Sequence, residues 1–287
     1  MRALALRSWG WALAVPPAFF LVAFFVAPLL YLLWVSLHSP SQSELYGDSF
    51  TLANYAAIAT DAFYFRILGR TLGTAATILG LCIVVGYPVA FAVSRLPPRR
   101  REIAAMLLLL PLMVSNVVRA YGWVAILGRR GLANTVLRDT GITDAPLDLL
   151  YTPSAVVLAL TTILLPYMVI SIANTLSALD RRYEEAAQAL GAGPIRTFLH
   201  VTLPLSSPGV ASGMLLVFLL TLSAYVTVAL LGGAPSKMLV SLVYDSVTAF
   251  QWPRAAALAF VLLAVALAVS GLILAVLRPQ RVQGRRR

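Results

Sequence analysis

Negative charge is scarce in this sequence. Eleven Asp and Glu stand against 22 Lys and Arg, and charged side chains of either sign make up only 11% of the chain. With 60% hydrophobic residues and a mean hydropathy of +0.86, the 287 residues hold too little polar surface to coat a soluble globule. The chain is built for lipid. Other shortages narrow its chemistry. A single cysteine, Cys82, excludes an intrachain disulfide and leaves the redox compartment open. His38 and His200 are the only histidines, and no His, Cys, Asp or Glu cluster has metal-ligand spacing, so no metal site is expected. The only lysine, Lys237, sits in GGAPSKM, which lacks the glycine that precedes the lysine of a GxxxxGK[ST] phosphate loop. The chain is therefore not expected to hydrolyse ATP by itself. No nucleophile and base are paired in a recognisable pattern, so no catalytic residues are expected and an intramembrane enzyme is disfavoured. The near-absence of acids from the apolar runs argues against an ion-coupled secondary transporter.

Six apolar runs are long enough to span about 30 Å of hydrocarbon. They cover roughly 9–37, 67–94, 103–127, 154–174, 208–231 and 254–277. The first is too long for the apolar core of a secretory signal and carries no small-residue cleavage site, so it reads as an anchor that stays. The net charge of +11 is not interleaved with aromatics on one face, which excludes a nucleic-acid partner and leaves a topological meaning. If six spans alternate, Arg2, Arg7, Arg95, Arg99, Arg100, Arg101, Arg181, Arg182, Arg196, Arg278, Arg281, Arg285, Arg286 and Arg287 share one side. Those are fourteen of the 22 basic residues, and the bias places both termini in the cytoplasm. Asp245 falls in an outer loop in that arrangement.

The fourth and fifth runs are joined by YEEAAQALGAGPIRTFLHVTLPLSSPG, Tyr183 to Gly209. Asp180 suits a helix cap, and Glu184 and Glu185 fall in the first turn, where the helix dipole favours acids. Gly191 offers a left-handed C-terminal stop, and Gly193-Pro194 restarts a second short helix that runs to about Thr202 and ends where Leu203-Pro204 disrupts it. Ala186, Ala187, Ala189 and Gly191 present little bulk, so another protein can approach the backbone there.

The spacing Glu185-Ala186-Ala187, three residues, Gly191, nine residues, Val201-x-Leu203-Pro204 resembles the EAA loop of permease subunits of binding-protein-dependent ABC importers, with valine where isoleucine is usual. TLANY at 51–55, GYPVAFAVSRLP at 86–97, RAYGW at 119–123, LLYTPSAVV at 149–157 and LLPYM at 164–168 are similar to the spermidine/putrescine branch of that family. The resemblance implies an all-α, six-span type I importer permease of the bacterial inner membrane. It implies an N-terminal helix and periplasmic loop over 1–65, a permease core over 66–277 with the coupling loop at 180–207, and a basic tail over 278–287. Glu184, Glu185, Ala186, Ala187, Gly191, Val201, Leu203 and Pro204 would contact a cytoplasmic ATPase dimer that binds ATP and Mg, this chain holding no cofactor. The remaining implied partners are a second, usually different, permease subunit and a periplasmic substrate-binding protein, and the implied cargo is a polyamine. An amino-acid-like amine or an aminophosphonate is the alternative.

A polar solute needs polar or aromatic groups facing the bundle interior, because lipid exposure of such groups is costly. Asn116, Arg119, Tyr121 and Trp123 in the third run, Thr161, Thr162 and Tyr167 in the fourth, and Ser223, Tyr225 and Thr227 in the fifth are the pathway candidates. Arg119 has alternatives: to pair with an acid such as Asp245, or to reach out to the headgroups. Gly73, Gly80 and Gly86 read as close helix contacts.

Overall fold

The computed structural model describes residues 15–41 and 44–277. The basic residues Arg2 and Arg7, the start of the first apolar run, and the tail at 278–287 lie outside the described residues. Among the described residues thirteen helices follow one another, short 3-10 turns aside: α1 (Val15–Ser36), α2 (Ala53–Thr60), α3 (Ala62–Ser94), α4 (Pro98–Leu109), α5 (Asn116–Leu127), α6 (Leu132–Asp139), α7 (Pro153–Ala178), α8 (Arg182–Ala189), α9 (Pro194–Leu205), α10 (Ser207–Leu222), α11 (Tyr225–Leu231), α12 (Leu239–Thr248) and α13 (Trp252–Val276). The only β pairing among the described residues is an isolated bridge between His38 and Phe50. An all-helical fold follows from the solvent, since a helix satisfies its own backbone where no water can.

Among the described residues four helices, α1, α3, α7 and α13, are long and apolar enough to cross a membrane singly, with up to six spans if each of two bent pairs counts as one. The third and fifth expected runs are not continuous helices. The third breaks after a 3-10 turn at Leu110–Met113, where Val114 and Ser115 turn extended and the chain bends by 88°. Pro111 removes an N–H donor at the start of that turn, and the Ser115 hydroxyl then caps α5 by accepting from the Val117 N–H at 3.3 Å. The fifth is interrupted at Ser223 and Ala224, between α10 and α11. Asp245 lies within α12 rather than in a loop.

The chain divides into two compact units. One holds the described residues through Phe65 together with Leu242–Leu262. In it the loop after α1 is tied to α2: Asn54 donates to the carbonyls of Ser36 at 3.0 Å and His38 at 2.9 Å, and the Ser36 and Tyr55 hydroxyls meet at 2.7 Å. Arg254 donates to the Tyr64 hydroxyl at 2.6 Å.

The other unit runs from Arg66 to Ser241 and resumes at Leu263. Its centre is α7, buried along much of its length and packed most extensively on α10, with α11, α5 and α4 also against it. Small residues permit the α7–α10 approach. A Cβ added at Gly209 would meet the Thr175 side chain and the Ser171 carbonyl, and one at Gly213 would meet Met168. Two small residues four apart on one helix let the backbones close. Gly86 on α3 also faces Met168, but Gly73 and Gly80 have nothing within 4 Å of where a Cβ would stand, so they are not contacts within this chain. Gly209→Leu is expected to overpack this seam by about 1–3 kcal/mol. Lower thermal stability in detergent, with Gly73→Ala unchanged, checks it.

Candidate functional site

The 180–207 segment folds as two short helices about a hinge. Asp180 serves as the cap, its carboxylate accepting the Arg182 N–H at 3.0 Å and its carbonyl accepting from Tyr183. At the far end of α8, Gly191 has φ +88°. Its N–H reaches the Gln188 carbonyl at 2.9 Å and the Ala192 N–H reaches that of Ala187 at 3.0 Å, the paired bonds of a Schellman motif. Gly193 then precedes Pro194 at the first position of α9. That helix does not end near Thr202. It passes through a π-helical turn at Phe198–Thr202 and continues to Leu205. Pro204 follows the π-helical residues after Leu203, and the break comes at Ser206. A 62° bend leads into α10.

Glu184 and Glu185 face different surroundings. Glu185 and Ala186 are exposed, while Ala187 and Val201 are partly covered. Glu184 turns inward. Its carboxylate takes two hydrogen bonds from Arg95, at 2.5 and 2.6 Å, and one from the Thr202 hydroxyl at 2.7 Å. Burial alone would raise the Glu184 pKa, but the hydrogen bonds from Arg95 and Thr202 and the charges of Arg95 and Arg181 outweigh it and hold the carboxyl below its usual range. The Arg95 guanidinium also lies over the Phe91 ring, 4.7 Å from its centroid. Phe198 meets Tyr87 and Phe91 edge-on, and the Tyr87 and Ser206 hydroxyls are 2.7 Å apart. The end of α3 thus grips both helices of the segment. The sequence assigns no site role to Arg95, Tyr87, Thr202 or Ser206. The outward side is apolar, with Leu190 89% and Ile195 75% exposed and Leu199 and Leu203 also uncovered.

Near the break between α4 and α5, a cleft of about 500 Å³ brings together Asn116, Arg119, Tyr167, Ser223, Tyr225 and Thr227. Arg119 donates to the Asn116 side chain, but its Nε and Nη1 are buried with no hydrogen-bond partner, and it forms no ion pair among the described residues. Trp123 and Thr162 line a neighbouring opening that shares Arg119. Tyr121 is exposed and lines neither. The reason is helical: residues 116, 119 and 123 share a face of α5, and 121 points away. Among the described residues no three His, Cys, Asp or Glu side chains converge as metal ligands would.

Similarity to known proteins agrees with this architecture. Residues 82–286 match the family described as binding-protein-dependent transport system inner membrane component. The chain is 33% identical over 238 residues to the spermidine/putrescine transport system permease protein PotB of Salmonella typhimurium, covering 83% of each. It is 35% identical to PotB of Haemophilus influenzae over 214 residues, covering 75% of this chain and 74% of that one. The molybdenum transport system permease protein ModB of Mycobacterium bovis is 36% identical over 171 residues, 60% of this chain and 62% of that one. In fold, the chain resembles a chain of a bacterial ABC transporter involved in the import of the acidic polysaccharide alginate, with a TM-score of 0.75 at 18% identity over 98% of this chain and 100% of that one. A bacterial alginate ABC transporter, solved in complex with an alginate pentasaccharide-bound periplasmic protein, gives 0.74 at 17% identity over 95% of each chain. The chain therefore belongs to the binding-protein-dependent transport system inner membrane components, as a multi-pass permease subunit of an ABC importer.

Proposed function

We propose that this permease carries a polyamine, spermidine or putrescine, inward across the membrane. The observation that carries this substrate is the identity to PotB, which runs over 83% of both chains rather than over a shared motif. The 180–207 segment is the coupling element. Its hinge at Gly191 fixes the angle between α8 and α9, and the uncovered Leu190, Ile195 and Leu199 with the small Ala186 offer a docking face. In this reading ATP and Mg²⁺ are held by a cytoplasmic ATPase dimer that seats Glu185, Ala186, Val201, Leu203 and Pro204. The chain supplies no ATPase chemistry of its own. A second, different permease subunit completes the pathway. A periplasmic protein delivers cargo, a role supported by the solved alginate transporter that holds one. ATPase closure then moves the segment as a lever and opens the bundle outward.

Both termini are cytoplasmic in this account, on the strength of the arginine bias. A cytoplasm-active reporter after Arg287 or near Pro98 is expected to be active, and one near Ser43 or Asp139 inactive. The opposite pattern would remove the coupling role of 180–207.

Tyr167 and Tyr225 offer a passing cation aromatic faces worth about 0.5–2 kcal/mol each. Arg119 favours a second reading. Its two unpartnered nitrogens suit a solute with an oxygen acceptor, such as an amino-acid-like amine or an aminophosphonate. Radiolabelled uptake in a strain lacking this chain decides between them. Loss of putrescine and spermidine uptake, restored by the wild-type chain, is the expected result. Undiminished polyamine uptake with loss of γ-aminobutyrate or aminophosphonate uptake would replace the substrate and keep the importer.

A further inference from the structure

Behind the 180–207 segment lies a chamber of about 630 Å³, walled by the ends of α3 and α7 and by α8 and α9, whose lining carries Arg95, Arg101 and Arg181. Beside it a second cavity of about 650 Å³ runs between α3, α4 and α7, and Val93, Ala105, Leu108, Ile170 and Ala173 make it mainly apolar. Arg101 and Ser177 line both, so the two spaces adjoin. The charges in the chamber are not balanced. Arg95 is taken up by Glu184. The Asp180 carboxylate accepts from the Arg182 N–H and has the Arg182 guanidinium 3.9 Å away. The Arg101 side chain has no hydrogen bond or ion pair among the described residues, and the Arg181 side chain has none at contact distance, its charge acting on Glu184 only from farther off. The crevice has one acid, Glu102, and that residue is exposed to solvent.

A cationic chamber opening into an apolar crevice between helices fits an amphiphile with an anionic head. We propose that it binds one anionic phospholipid, its phosphate against Arg101 and Arg181 and an acyl chain between α4 and α7. A free phosphate would use the chamber and leave the crevice empty. A zwitterionic lipid would bring its own ammonium up to a wall on which Arg95, Arg101 and Arg181 outnumber the acids Asp180 and Glu184. Placing the lipid in the cytoplasmic leaflet rests on the orientation proposed above, whereas the site itself rests only on these side chains. Glu184, Val201 and Thr202 belong to the chamber wall, so the bound head braces the coupling segment from behind and makes transport sensitive to membrane charge.

The assembled transporter carrying the full-length chain, in nanodiscs or detergent, tests this by titration with phosphatidylglycerol, phosphatidylcholine and inorganic phosphate, read by native mass spectrometry and thermal stability. Phosphatidylglycerol is expected to bind and stabilise. The variant Arg101→Gln with Arg181→Gln is expected to bind it about thirtyfold more weakly, at roughly fivefold per arginine. Ala105→Phe, which fills the crevice and leaves both arginines, is expected to lose the lipid as well, while Arg129→Gln with Arg130→Gln is expected to bind as wild type. Unchanged phosphatidylglycerol binding in the double variant, equal binding of phosphatidylcholine, or equal stabilisation by phosphate alone would overturn the proposal. Because binding is measured without cargo and without reference to membrane side, a wrong substrate or orientation leaves this result untouched.

Discussion

Gly191→Val is expected to insert at the wild-type level and to abolish uptake. The residue holds φ +88°, where a Cβ crowds the following carbonyl and costs about 1–2 kcal/mol, more for a β-branched side chain. Nothing lies within 4 Å of an added Cβ, so the penalty is conformational and not a clash. It is relieved by rotating Gly191 out of the left-handed region, which breaks the paired bonds to Gln188 and Ala187 and redirects α9 relative to α8. An insertion defect is not expected, because the hinge is exposed and outside the long apolar helices. Asparagine adopts this conformation more readily than other non-glycine residues, so Gly191→Asn is expected to keep much of the activity. Membrane-fraction immunoblots beside uptake rates check both. Wild-type uptake in Gly191→Val would show the segment to be a plain connector.

Removing either side of the Arg95–Glu184 contact is expected to be the other large effect. Side-chain exposures of 31% and 20% put the pair partly out of water, where a hydrogen bond to a charged group contributes about 1.5–3 kcal/mol. Glu184→Ala removes acceptors from both Arg95 and Thr202, whereas Arg95→Ala leaves the Thr202 bond intact, so the glutamate variant is expected to be the more damaging. In a double-mutant cycle the two losses are expected to be non-additive by about 1–2 kcal/mol, read as thermal stability in detergent. Strict additivity would mean that the contact contributes nothing. The pH dependence has a definite sign. A carboxyl held below its ordinary range stabilises above its unfolded-state pKa and loses that stabilisation as pH falls through the folded-state value. The contribution of Glu184 is therefore constant through neutral pH and lost only in acid, and Glu184→Gln removes that acid limb.

Local chemistry made the coupling segment legible in the sequence. The left-handed stop at Gly191, the cap at Asp180 and the restart at Gly193-Pro194 each depend on residues within a few positions of one another, and all three appear in the structure. The extension of α9 to Leu205 is hidden because Leu203-Pro204 reads as a disruption, yet the π-helical turn at Phe198–Thr202 runs straight on through Pro204 to Leu205. Hydropathy located the apolar runs but averaged across the extended residues Val114 and Ser115, so the 88° break was invisible. Arg95 was counted for topology because its partner lies 89 positions away, a pairing that no local pattern encodes. Tyr121, a pathway candidate with Asn116, Arg119 and Trp123, stands on a different face of α5 from those three, as helical spacing requires.

The central claim, that this permease moves a polyamine with energy delivered through the 180–207 segment, is tested most directly by reconstituting the assembled transporter in proteoliposomes and following labelled putrescine and spermidine. Uptake is expected to require ATP on the ATPase side and the periplasmic protein on the other, and to be present with the wild-type chain and absent with Gly191→Val at equal incorporation. Uptake without ATP, or equal ATP-driven uptake by both chains, would contradict it.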